Sequence, residues 1–195
     1  MNKNQNYIWF VIIGLAIVIL GGAYLIWGGK GVSENIPVDQ VALQTQGWNA
    51  HRDEEFNFRI KYPKDFYFMR NDDDFEGKFV SIRISDALAT ETGFTTDSSV
   101  TVLATTSPEA WCLTDPYSGD KPTETRNLAG TQVYYSSASE GAVGFKAEHG
   151  FYYLFKDNKC YHIEKQLLWK VGDDKDRQKV SDVLDLVVAT FNFLD

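Results

Sequence analysis

Two cysteines, three histidines and two methionines are few for a chain of 195 residues. The two cysteines stand far apart, so no C-x-x-C pair offers a zinc ribbon or a dithiol redox motif. His51, His149 and His162 lie in separate strands or turns without helical i, i+4 spacing, and a zinc site from them would need all three to converge in the fold. A G-x-S-x-G elbow, a phosphate loop and a dinucleotide glycine fingerprint are all missing, which leaves hydrolase and nucleotide-binding readings without support from motifs. Basic residues are also in the minority, 19 against 27 acidic, for a formal charge of -8. Residues 1–30 hold two lysines and no acid, so the rest of the chain carries 17 basic and 27 acidic groups, a net -10. A body so acidic repels phosphate backbones and anionic headgroups, which excludes nucleic acid as an expected partner.

What is present begins with Tyr7 to Trp27, an apolar run of 21 residues without a charge. A helix rising about 1.5 Å per residue would carry that run across a hydrocarbon core about 30 Å thick. Tyr7, Trp9 and Phe10 at one end and Tyr24 and Trp27 at the other suit the two headgroup layers. The exit reads AYLIWGGKG, bulky where a signal-peptidase site needs small residues, so retention as a signal anchor is expected. Lys3 and the terminal amine on one side nearly balance Lys30 on the other, and the positive-inside rule discriminates little. The six residues before the span and the ease of translocating a large acidic domain place the amino terminus in the cytoplasm. The expected organisation is a short cytoplasmic segment (1–6), a transmembrane anchor in the plasma membrane (7–27), a flexible tether (28–46) and an extracytoplasmic domain (47–195). The tether opens with Gly28 and Gly29 and reaches roughly 25 Å as a random coil.

The outer domain reads as strands first and a helix last. Phe56, Phe58, Ile60 and Tyr62 alternate with Asn57, Arg59 and Lys61, a strand with one buried face that Pro63 ends. Trp48 to Arg52 reads as its hairpin partner. Further strands are expected at Phe66 to Met69, Phe79 to Ile84, Ser99 to Ala104 and near Thr131 to Tyr135. Phe151 to Phe155 and Cys160 to Leu168 flank the turn Lys156 to Lys159 as a second hairpin. Val180, Val183, Leu184, Val187, Val188 and Phe191 form one helical stripe, preceded by Asp173, Asp174 and Asp176. A shorter helix is expected to open at Ser107, capped by that serine with Pro108 in its first turn. The fold class is therefore α+β: a mainly antiparallel sheet of six or seven strands covered by helices, closed by a C-terminal amphipathic helix and preceded by an N-terminal transmembrane helix.

The run Asp53 to Phe66, DEEFNFRIKYPKDF, resembles the entry hairpin of PsbP-like domains, where a polar turn leads to an aromatic strand closed by Tyr-Pro. Val187 to Leu194 resembles their closing helix and final strand, and Leu128-Ala129-Gly130 stands before a strand as in that family. The resemblance implies an antiparallel sheet covered by helices, serving as a binding or assembly module without catalysis, here in a membrane-anchored bacterial protein. A photosystem role does not follow from it, because an uncleaved anchor stands where a transit peptide would be.

Cys112 and Cys160 are an even pair in a domain expected outside the cytoplasm, and a disulfide between them is one reading. Two small buried hydrophobes is the other, since Cys112 follows Trp111 and Cys160 opens an apolar strand. Asn71 to Gly77 has acids spaced as in a calcium loop, but Arg83 stands where the twelfth position needs a glutamate, so a turn is expected and no metal site. Adjacent tyrosines, Tyr134-Tyr135 and Tyr152-Tyr153, point to opposite sheet faces, and an exposed member of each pair would suit a sugar or a peptide. No catalytic residue, cofactor or metal is called for. The reading is a single-pass, membrane-anchored extracytoplasmic binding or assembly module whose partner is a protein or a cell-envelope glycan. The alternative is a cell-envelope hydrolase whose carboxylates or histidines meet only in the fold, a pattern that leaves no spacing to read.

Overall fold

A computed structural model describes residues 37–71, 77–142, 144–172 and 176–194. The expected anchor at 7–27, most of the tether, the acidic run at 72–76 and Asp173 and Asp174 lie outside the described residues. Among the described residues no helix is long and apolar enough to cross a membrane.

A short helix, α1 (Val38–Gln44), occupies the end of the expected tether. The hairpin β1 (Asn49–Asp53) and β2 (Phe58–Tyr62) follows, paired antiparallel with His51 opposite Ile60. Its turn is tied by the Asp53 carboxylate, which accepts the Phe56 amide at 2.8 Å, and by Asn57 in the left-handed region at φ 58°. Next come β3 (Tyr67–Asn71), β4 (Gly77–Arg83), α2 (Asp86–Thr92), β5 (Ser99–Thr105) and the single turn α3 (Glu109–Cys112). The chain ends with β6 (Glu124–Leu128), β7 (Thr131–Ala142), β8 (Phe145–Lys156), β9 (Lys159–Lys170), α4 (Arg177–Ala189) and β10 (Asn192–Phe193).

The strands form two antiparallel sheets, one of seven in the order β3-β4-β5-β9-β8-β7-β6 and one of three in the order β1-β2-β10. The α+β class holds, while the expectation of a single sheet of six or seven strands is corrected to two sheets. Within the outer domain two elements were not anticipated. The polar strand β6, ETRNL, buries only Leu128 well and so carries little hydrophobic signal. The helix α2 is marked by its caps: Ser85 accepts the Leu88 amide at 3.3 Å, and Gly93 ends it at φ 75°, where a Cβ would be strained. The helix expected to open at Ser107 starts two residues later. Pro108 stays extended at ψ 149° in the cap position, and Ser107 hydrogen-bonds Thr105 instead. Asp176 takes the cap position of α4 with no side-chain cap bond.

The β8–β9 hairpin turns on two residues, Asp157 and Asn158, both in the left-handed region, with Lys156 paired to Lys159. Two successive left-handed residues match the strand twist, which is why a short polar Asp-Asn turn supports strands of twelve residues. One face of the large sheet meets α4 and the small sheet. There Val80, Ile82, Val100, Val102 and Ile163 pack with Val180, Leu184 and Val187, all at 2% exposure or less. Each such side chain contributes about 1.5–3 kcal/mol of burial. The small sheet joins through Phe58, stacked on Phe191 at 5.5 Å, and through Tyr161, whose hydroxyl donates to the Phe56 carbonyl at 2.7 Å. A largely buried charged pair on this side is Lys165 Nζ to Asp185 Oδ1 at 2.6 Å. Burial holds the Asp185 carboxyl above its ordinary value, and Lys165 and Ser181 oppose that only in part.

Candidate functional site

The period of two along β7, β8 and β9 sends a second set of side chains to the face opposite α4. These include Ser136 and Glu140 on β7, His149, Phe151 and Tyr153 on β8, and Cys160, His162 and Glu164 on β9. The register sets Ser136 opposite Phe151, Phe151 opposite Glu164, and Tyr153 opposite His162. Over them lie α3 and the loop 113–121. A separate small core of Cys112, Leu113, Phe151, Tyr153 and Cys160 fastens this cover.

Cys112 and Cys160 are bridged, with Cα atoms 5.4 Å apart, so the structure takes the first of the two readings open for this pair. Beside the bridge, His162 Nε2 donates to the Cys112 carbonyl at 2.6 Å, and its ring lies between Trp111, stacked at 5.6 Å, and the edge of Tyr153 at 5.1 Å. Burial lowers the His162 pKa, and the carbonyl bond raises it only partway back, so the neutral ring is favoured.

Three residues on, the loop is tied by the buried Asp115. Its Oδ1 accepts the amides of Tyr117 at 2.7 Å and Ser118 at 3.0 Å. Burial works to raise this carboxyl, but bonds from Ser136, from those two amides and from Tyr153 outweigh it, and the pKa lies below the ordinary value. Ser136 Oγ and Tyr153 Oη are themselves 3.0 Å apart, and burial holds the Tyr153 phenol well above its usual range.

The densest polar feature is His149, its side chain 5% exposed and stacked parallel on Phe151 at 5.7 Å. Nδ1 lies 2.8 Å from Glu164 Oε1 and Nε2 lies 3.1 Å from Glu140 Oε1. Only the imidazolium has a proton for both carboxylates at once. Tyr117 leans over this group, 5.4 Å from Phe151 and 6.2 Å from His149, and remains 57% exposed. Burial first, then the carboxylates Glu140, Glu164 and Asp115, push its phenol pKa up. Trp111, 55% exposed, is the second open ring of the cover.

The three histidines do not converge. His51 lies in the small sheet against Phe58 and Phe68, while His149 and His162 share the face under the cover with different partners. The expectation of an exposed member in the pair Tyr152-Tyr153 is corrected: they are 4% and 1% exposed, because both sheet faces are covered there. The open rings over this face are Trp111 and Tyr117 instead. Asp115, Glu140 and Glu164 were not singled out from the sequence. Only the strand register, which no local signal carries, brings the two glutamates onto one imidazole.

No family model and no curated protein matches the chain. Among solved structures, one from Bacteroides thetaiotaomicron VPI-5482 aligns with a TM-score of 0.51 at 11% identity, over 76% of this chain and 49% of that one. The likeness is one of fold, and this chain spans about half the length of that protein. Cyanobacterial PsbP (CyanoP) from Synechocystis sp. PCC 6803 aligns at 0.37 and 10% identity, over 74% of this chain and 91% of that one. LpqN, involved in cell envelope biogenesis of Mycobacterium tuberculosis, aligns at 0.40 and 7% identity, over 84% of this chain and all of the other.

Proposed function

We propose that the chain is a single-pass membrane protein whose extracytoplasmic, PsbP-like domain is a binding module for a cell-envelope glycan. The observation that carries the ligand class is the pair of open rings, Trp111 stacked on the half-buried His162 and Tyr117 against Phe151 and His149, the latter holding the carboxylates Glu140 and Glu164. Rings held rigidly in this way offer apolar faces to sugar C–H groups at little entropic cost, and flanking carboxylates accept hydrogen bonds from hydroxyls. The PsbP-like assignment has support from where its motifs fall. The Asp53 to Phe66 run makes the turn and second strand of the β1–β2 hairpin, Leu128-Ala129-Gly130 makes the β6–β7 turn, and Val187 to Leu194 spans the end of α4 and β10. The anchor and its orientation have support from the 7–27 run, and a disulfide suits an oxidising compartment.

Two measurements test the proposal. Full-length protein in detergent should bind peptidoglycan fragments, and Trp111→Ala or Tyr117→Ala should weaken that binding about tenfold, as loss of one stacking contact does. Equal binding by both variants would sink the ligand assignment. Impermeant maleimide should label intact cells only after an impermeant reductant, and labelling confined to lysed cells would overturn the orientation. The hydrolase reading has one observation in its favour, the meeting of His149 with two carboxylates. It requires that Glu140→Gln and Glu164→Gln each abolish a measurable cleavage of the same fragments.

A further inference from the structure

The seam between α3 and β9 holds a donor set of which the binding proposal uses only one ring face, that of His162 beneath Trp111. Cys160 and His162 are two apart on β9 and so face the same way, and α3 lowers Cys112 onto them. The two sulfurs and an imidazole nitrogen lie within 4.8 Å of one another. While the bridge is closed, neither sulfur is a thiolate, and only thiolates hold metals well. We propose that a dithiol reductant converts this seam into a site for one thiophilic d10 cation, Cu(I) or Zn(II), held by Cys112 Sγ, Cys160 Sγ and the His162 imidazole.

The step balances without further reagents. The dithiol passes two electrons and two protons to the Cys112–Cys160 bond and leaves as its own cyclic disulfide, so the protein gains two thiols. Binding of the cation then displaces those two protons to solvent, with no change in the oxidation state of the metal. Two thiolates and an imidazole are the ligand types these cations prefer. With its Nε2–H donated to the Cys112 carbonyl, the neutral ring keeps a lone pair on Nδ1, and a metal would bind there. A ring hydrogen bond to a backbone carbonyl is the usual second partner of a metal-bound histidine. Cys112 and Cys160 are 0% and 1% exposed, with Leu113, Phe151 and Tyr153 around them. This dry surround keeps water from a fourth position and favours Cu(I), which accepts three ligands, over Zn(II), which prefers four. Bridge and metal are then two exclusive states of the same residues.

The test uses the full chain in detergent, reduced with dithiothreitol that is removed under anaerobic conditions, then titrated with Zn(II) or Cu(I) against a chromophoric chelator. One equivalent should bind to the reduced chain and none to the oxidised chain. Cys112→Ser, Cys160→Ser and His162→Gln should each weaken binding by more than about 100-fold, beyond what loss of an outer-shell partner costs. Far-UV circular dichroism of the same samples reports whether the reduced chain stays folded. Reduced His162→Gln should give the same circular dichroism as the reduced parent, which separates loss of a ligand from loss of the fold. Equal affinity in His162→Gln, equal binding by the oxidised chain, or no binding of either metal by the reduced chain would each overturn the proposal.

Discussion

The two faces of the seven-stranded sheet are built on different principles. Toward α4 the sheet presents Val80, Ile82, Val100, Val102 and Ile163, aliphatic and sealed, with the Lys165–Asp185 pair beside them. Toward α3 it presents histidine, glutamate, tyrosine and cystine, under a cover that is one helical turn and a loop. The first face draws its stability from area removed from water, which is non-directional and tolerates exchange of like for like. The second has little such area, and its cover is held by a covalent bridge, an Asp115 turn and a ring stack, each specific in geometry. The lesson is a division of labour: the fold is secured on one side, which leaves the other free to carry polar groups that a core would not accept.

Cutting the bridge should separate the two faces most. Its ends are 48 residues apart, and closing such a loop contributes about 4 kcal/mol on a chain-entropy account. Chemical unfolding of a Cys112→Ser, Cys160→Ser double variant should show a loss near that size, the largest single effect in the domain. A loss below about 1 kcal/mol would mean that the cover is held by contacts rather than by the bond. Leu184→Ala on the opposite face should come next, at about 3 kcal/mol, since it empties a fully buried site between helix and sheet. The two losses should add, because the mutated groups lie on opposite sides of the sheet and share no partner.

A smaller effect is expected at His149. His149→Gln keeps one hydrogen bond to a carboxylate and gives up the other, and both glutamates, at 33% and 60% exposure, can turn to water. The expected cost is about 1 kcal/mol, with hydrogen-exchange protection lost at the β7–β8 end and unchanged beneath α4. A loss of several kcal/mol, spread over both faces, would show the imidazole to be a core element and would remove the division drawn above.

The same division sets what was legible in the sequence. The α4 face writes itself in periodicity: Phe58 and Ile60 alternate, and Val180, Leu184 and Val187 recur at helical spacing, because burial on one side repeats at the period of the element. The α3 face has no such rhythm. Glu140, His149 and Glu164 stand on three strands, and nothing near any of them in the chain reports the register that makes them neighbours. The Cys112–Cys160 bridge was legible in part, since an even pair in a domain expected outside the cytoplasm favours it while two small core side chains remain the other reading. β6 was missed for a third reason, that an edge strand with one buried residue has almost no apolar signal. α2 is different again, because Ser85 and Gly93 do mark its ends, so its capping residues were there to be read.

Acid should separate the two faces most delicately. Under α3, Asp115 has a folded pKa below its ordinary value of 3.8, so its stabilising effect is complete above that value and is lost as the pH falls through the folded pKa. His162, held below its ordinary 6.5, has the same sign at higher pH: the unfolded chain takes up a proton first, so stability starts to fall once the pH drops through about 6.5. On the α4 face the sign reverses. Asp185 is held above 3.8, so the folded state takes the proton first, and stability from this group is lost as the pH rises from 3.8 through the folded value. Urea midpoints measured from pH 7.5 down to 3 should therefore fall in wild type, fall less in His162→Gln between pH 6.5 and 5, and fall more steeply in Asp185→Asn near pH 4. If Asp185→Asn flattened the acid limb instead, the buried pair with Lys165 would be acting as a net stabilising ion pair, and the polar chemistry that the comparison assigns to the α3 side would be at work in the core as well.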